Sequence, residues 1–186
     1  FCASIVEFTI ADWATLFGKE ELGMATSTAT LTYLIYLLGL IIGRYSIGWA
    51  LGHQSERFWI KTAGLLGGPG FITMLISSTL LVDNNKNLAF TIALLGFLLA
   101  GLGSSAMAPI FFSIAGRLYN GKNALAVAQL SFVNTLIILI AKTLLAWVVQ
   151  LTSITTALVI AGTAMLALLY FGKIGSTLRH LAPDKS

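Results

Sequence analysis

Charge is what this sequence has least of. Only 10% of its 186 residues are charged, whereas 57% are hydrophobic, and such a chain cannot clothe a soluble globule in a polar shell. A lone cysteine, Cys2, excludes an internal disulfide and a cysteine metal cluster. There are two histidines, His53 and His180, and both fall in polar connections. They are placed neither for a metal centre nor as the base of a serine dyad inside the membrane, so the sequence predicts no enzyme, no metal and no cofactor. The net charge of +4 would suit nucleic acid, but the eleven basic residues are scattered among the connections and form no stripe, which excludes that partner. Low-complexity tracts, long linkers and a soluble-domain stretch are absent too. The chain opens on Phe1 with neither the basic n-region nor the small-residue cleavage site of a signal peptide. The expectation is that further chain lies upstream.

What is present is a series of apolar runs. A bilayer-spanning helix needs about 20 predominantly apolar residues, and that measure predicts six, over 1–17, 25–49, 60–82, 88–118, 124–149 and 152–172, followed by a tail over 173–186. The connections are short, so consecutive helices alternate in direction across the bilayer. The basic residues then divide unevenly. Arg44, Arg57, Lys61, Arg117, Lys122, Lys173, Arg179 and Lys185 fall on one side, Lys19 and Lys86 on the other, with Lys142 inside a helix. Because Lys and Arg concentrate on the cytoplasmic face, the eight-to-two division puts the tail, and the side from which the chain enters, in the cytoplasm. The expected place is an inner or plasma membrane crossed several times.

Small residues recur at a spacing that lets helix backbones touch. Gly39 and Gly43, Gly48 and Gly52, and Gly64 and Gly68 are four apart, the pattern that supports helix contact where lipid supplies no hydrophobic driving force. Thr32, Tyr36, Gly39 and Gly43 share one helical face, which serves either as a contact between helices or as a cavity lining. In the fourth run Pro109 follows Gly101, Gly103, Ser104 and Ser105, and a proline there predicts a bend.

Three ionisable residues fall inside predicted spans: Glu7, Asp12 and Lys142. A charge at the bilayer centre costs roughly 2.5–3.5 kcal/mol on the mildest scale, so none should face lipid. At about 1.5 Å per residue, Asp12 lies about 8 Å from the outer end of its helix and Lys142 about 10 Å from the outer end of the fifth. The two are therefore candidates for an ion pair, which either ties helices together or lines a polar cavity. Glu7 is deeper and points about 140° away from Asp12 around the helix. No basic partner is expected at its depth, which makes it a candidate proton carrier, a hydrogen-bonding contact to the solute, or a bridge between helices. Tyr36, Trp13 and, near the midplane of the fifth helix, Asn134 complete the polar and aromatic groups that could meet a solute.

The stretch Gly43-Arg44 followed by Gly48, Gly52 and Arg57 resembles the loop signature between the second and third helices of a half of a major facilitator superfamily transporter. Glu7 through Asp12-Trp13, and Gly101 to Pro109 leading to Ala115-Gly116-Arg117, resemble the C-terminal half of its sugar-permease-like members. The resemblance covers nearly the whole chain. It implies an all-α, polytopic membrane protein whose six transmembrane helices form one half of a major-facilitator-type bundle. It also implies secondary active transport of a small polar or sugar-like solute by alternating access, with proton symport as the favoured energy source. The partners it implies are the solute, the lipid bilayer and a missing N-terminal six-helix half. A six-helix channel or scaffold acting as an oligomer is the alternative.

Overall fold

The computed structural model describes residues 2–50, 61–62, 64–105 and 123–179. Among these the chain is helical, without a strand. The helices are α1 (Cys2–Leu16), α2 (Thr26–Ala50), α3 (Phe71–Leu81), α4 (Lys86–Ser104), α5 (Asn123–Leu151) and α6 (Ile154–Arg179). Thr26–Ser46, Lys86–Ser104 and Ser131–Leu151 are each long and apolar enough to cross a membrane, and Leu66–Leu81 and Ile154–Ala167 are shorter apolar helices. In lipid no water meets an open N–H or C=O, so runs of this composition close their backbone bonds within the helix. Even the hydroxyls fold back onto it: Thr9 donates to the Ile5 carbonyl at 2.6 Å and Thr143 to that of Leu139 at 3.0 Å. The protein is an all-α, multi-pass membrane protein.

Four boundaries differ from the sequence reading, three of them for a local reason. The chain does not leave its helical path at Phe17 but widens over Phe17–Glu21, where the Leu22 amide reaches the Phe17 carbonyl at 3.3 Å; Gly23, at φ 61°, then ends it. Within the span expected over 60–82, Leu66–Gly70 forms a second wide turn before α3 begins. Pro69 has no amide hydrogen to give the carbonyl four residues back, and the coil opens around it. α4 begins at Lys86 because the Asn85 side chain accepts the Leu88 amide at 3.1 Å and caps it. The described helix closes at Ser104, and the rest of the run expected to 118 lies outside the described residues from 106 on. α6 runs on through Arg179, past the expected end at 172.

The packing centres on α1, α2, α4 and α6. Phe97 of α4 meets Phe17 edge-on at 5.8 Å and Phe71 of α3 at 5.4 Å, and around them Ile10, Leu40, Leu75, Leu158 and Met165 are buried. Lipid tails are as apolar as these side chains, so what this core contributes is dispersion through close contact, not transfer out of water. The closest contact joins α2 to α4. A Cβ built on Gly39 would lie 2.5 Å from the Leu98 carbonyl, and one on Gly101 would meet the Tyr36 carbonyl. Helix α1 is tied to α2 by Thr32, whose Oγ1 lies 2.8 Å from the Ala14 carbonyl across the interface and 2.7 Å from that of Ala29. Just beyond the same end of α1, Glu21 Oε1 accepts the Ile154 amide at 3.0 Å and the Thr155 amide at 3.4 Å. A carboxylate at the positive end of α6 contributes about 1 kcal/mol as cap and counter-charge.

Helix α5 stands apart. Among its described residues Leu145 is the one buried hydrophobic side chain, while Phe132, Leu136, Leu139, Ile140, Leu144 and Trp147 are exposed. It packs on α1 and α6, and its strongest polar tie is to α1.

Candidate functional site

That tie is the Asp12–Lys142 ion pair. Lys142 Nζ lies 2.7 Å from Asp12 Oδ2, with the two side chains 40% and 42% exposed. The first and fifth helices run in the same direction, so Asp12 and Lys142, each a few turns or less from its helix's C-terminal end, come level. Phe8, one turn before Asp12 on the same face of α1, puts its ring centroid 5.1 Å from the same ammonium. The cation is thus held between a carboxylate and an aromatic face, both of which attract it.

The second embedded acid also has a partner, and this overturns the expectation that Glu7 has none. Arg44 Nη2 donates to Glu7 Oε1 at 2.9 Å. Counting residues placed Arg44 nearer the cytoplasmic surface than Glu7, but a guanidinium on a three-carbon stem can reach well away from its own Cα along an apolar surface. Arg44 therefore lies within α2 and serves an interhelical pair, in addition to its place in the glycine-spaced motif. Gly43, beside it, has no room for a side chain against Ser105 of α4. Gly48 lies in the last turns of α2, whereas Gly52, Arg57 and Pro109 fall outside the described residues.

The face of α2 shared by Thr32, Tyr36, Gly39 and Gly43 is spent on helix contact. Tyr36 is 1% exposed, and its hydroxyl lies 3.3 Å from Ser104 Oγ. Trp13 is half-buried and packs against the core. Asn134 is half-buried on α5, away from the ion pair by two turns of helix. The described residues thus bring together Asp12 with Lys142 and Glu7 with Arg44, and they set Tyr36 apart in a polar contact of its own. Phe8 was missed by sequence reasoning. Its signal was its position four residues before Asp12, on the face that α5 must cover. Among the described residues no cluster of three or more His, Cys, Asp or Glu side chains could hold a metal ion.

The architecture defines a class: an all-α, multi-pass membrane protein in which ion pairs tie α1 to two helices long enough to span a membrane. Comparison with known proteins narrows it. Over 157 residues, 84% of this chain, it is 27% identical to an uncharacterized MFS-type transporter of Yersinia pestis, MFS being the major facilitator superfamily, and it spans 38% of that protein's length. No family model and no solved structure matches the chain.

Proposed function

We propose that the chain is the C-terminal half of a major-facilitator-type secondary transporter, which moves a small polar or sugar-like solute by alternating access under a proton gradient. The observation that carries this is the similarity to an MFS-type transporter along 84% of the chain. The embedded charges support it. Asp12 and Lys142 are each about two-fifths exposed, and an ion pair that open cannot stand against hydrocarbon. The face bearing them needs water or another polar surface across from it, as a central pathway between two six-helix halves provides. Glu7, Trp13 and Asn134 are the further candidates for contact with the solute or for coupling, whereas Tyr36 is taken up by its buried contact with Ser104. In the same reading the 51–59 connection and the C-terminus are cytoplasmic.

Two measurements test the proposal. In liposomes the full-length protein should exchange labelled for unlabelled solute in counterflow, and a pH gradient should drive net accumulation; exchange without accumulation would remove proton coupling, and the absence of both would remove transport. For orientation, a cysteine placed at Ser186 in a Cys2→Ser background should stay unlabelled by an impermeant reagent added outside intact cells. Labelling there would reverse the topology.

A further inference from the structure

Four charged side chains on α1, α2 and α5 form two ion pairs: Glu7 with Arg44 at 2.9 Å and Asp12 with Lys142 at 2.7 Å. The two pairs are not equivalent. Arg44 pairs from within α2 with Glu7, which points about 140° away from Asp12 around α1. The Asp12–Lys142 pair sits on the seam between α1 and α5, level with Phe8, which is 43% exposed on the same surface. A carboxylate has about four acceptor positions and an ammonium three donors, so one contact between them leaves both with capacity for more.

We infer that Phe8, Asp12 and Lys142 form the solute-contacting surface of the proposed transporter, and that it takes a solute with no net charge. Asp12 accepts from a hydroxyl or amide of the solute, Lys142 donates to a neighbouring oxygen, and Phe8 positions the ammonium. This rests on the transporter reading above. The choice of an uncharged solute follows from the pairing. An anion would draw Lys142 away and leave Asp12 unmatched; a cation would do the same to Lys142. Either leaves one charge of the pair without its counter-charge, a cost that the closed pair does not carry. A neutral solute bearing a donor and an acceptor on adjacent atoms leaves the pair closed and uses its spare capacity.

The test uses matched ligands. Hexoses and pentoses, with the uronic acids and amino sugars of the same skeletons, are titrated into the purified full-length protein. A neutral parent should bind roughly tenfold or more tighter than its acid and its amine. An acid or amine that binds as tightly as its parent overturns the inference, as does a panel in which nothing binds. Phe8→Leu should weaken binding of the neutral ligand by roughly threefold to tenfold and leave the melting temperature without ligand unchanged, with Phe8→Tyr restoring the affinity. Unchanged affinity in Phe8→Leu removes Phe8 from the surface. Asp12→Asn combined with Lys142→Met leaves no lone charge to unfold the protein, yet it should lose the ligand; retained binding overturns the assignment. The two levels fail differently. Counterflow of a charged solute would sink the inference and leave transport standing, whereas a neutral ligand that binds but never exchanges would do the reverse.

Discussion

Gly101→Ala should lower the melting temperature of the purified protein sharply, although it adds one methyl group and replaces glycine with the best helix former. In an exposed helix that change stabilises by about 1 kcal/mol. Here the added Cβ would run into the Tyr36 carbonyl, and it would lie 2.8 Å from the Leu40 nitrogen and 3.1 Å from the Gly39 carbonyl carbon. All three obstacles are backbone atoms of α2, so no rotamer change relieves the overlap and the two helices must separate. Overpacking of this kind costs about 1–3 kcal/mol, occasionally more, and separation would also loosen the Tyr36–Ser104 contact beside it. The control is Gly70→Ala. Its backbone is right-handed helical, and the nearest obstacle is Leu99 Cδ1 at 3.1 Å, the far end of a side chain that can turn. That variant should melt within a degree or two of the parent. Equal melting temperatures for the two variants would mean that α2 and α4 do not meet at this seam.

Much of this was legible in the sequence, and the boundary of legibility is physical. Apolar runs, such as those over 88–118 and 124–149, read as spans because the bilayer leaves a chain no other way to close its backbone bonds, and the helices Lys86–Ser104 and Ser131–Leu151 overlap them. The Gly39–Gly43 spacing marked a contact face on α2, but it could not say which helix would cover it. The partner, α4, carries its own small residues at Gly101 and Ser105. The turn at Leu66–Gly70 was missed because the hydropathy of 60–82 is continuous, although Gly67-Gly68-Pro69-Gly70 states the break plainly to anyone counting amide hydrogens. Asp12 and Lys142 could be matched by depth because both side chains meet near their own level. Glu7 and Arg44 could not, since the length of an arginine side chain blurs its depth. What remained illegible was three-body geometry: Phe8 gains its meaning only once Lys142 arrives beside Asp12.

The Asp12–Lys142 pair should behave as a unit when it is dismantled. Asp12→Asn leaves Lys142 with the Phe8 ring alone, and Lys142→Met leaves the Asp12 carboxylate without its cation; each single change strands a charge in a spanning helix. Breaking a fully buried pair in this way costs about 3–5 kcal/mol. These side chains are about two-fifths exposed, so the expected coupling is smaller, about 1–3 kcal/mol. The double variant strands nothing and should recover much of what either single change loses. Melting the parent, both singles and the double completes the cycle, and losses that simply add would show that the two side chains do not interact. Salt sharpens the result. The Debye length falls from about 10 Å at 0.1 M to about 3 Å at 1 M, so a pair facing a water-filled pathway should lose most of its coupling over that range. A pair sealed beneath another protein surface should keep it. Because α5 has little other anchorage, the single variants should also free this helix first, and amide exchange over 131–151 should rise before that over α2 or α4. Uniform loosening of all three helices would mean that the pair stabilises the whole bundle and is not the particular tie that holds α5.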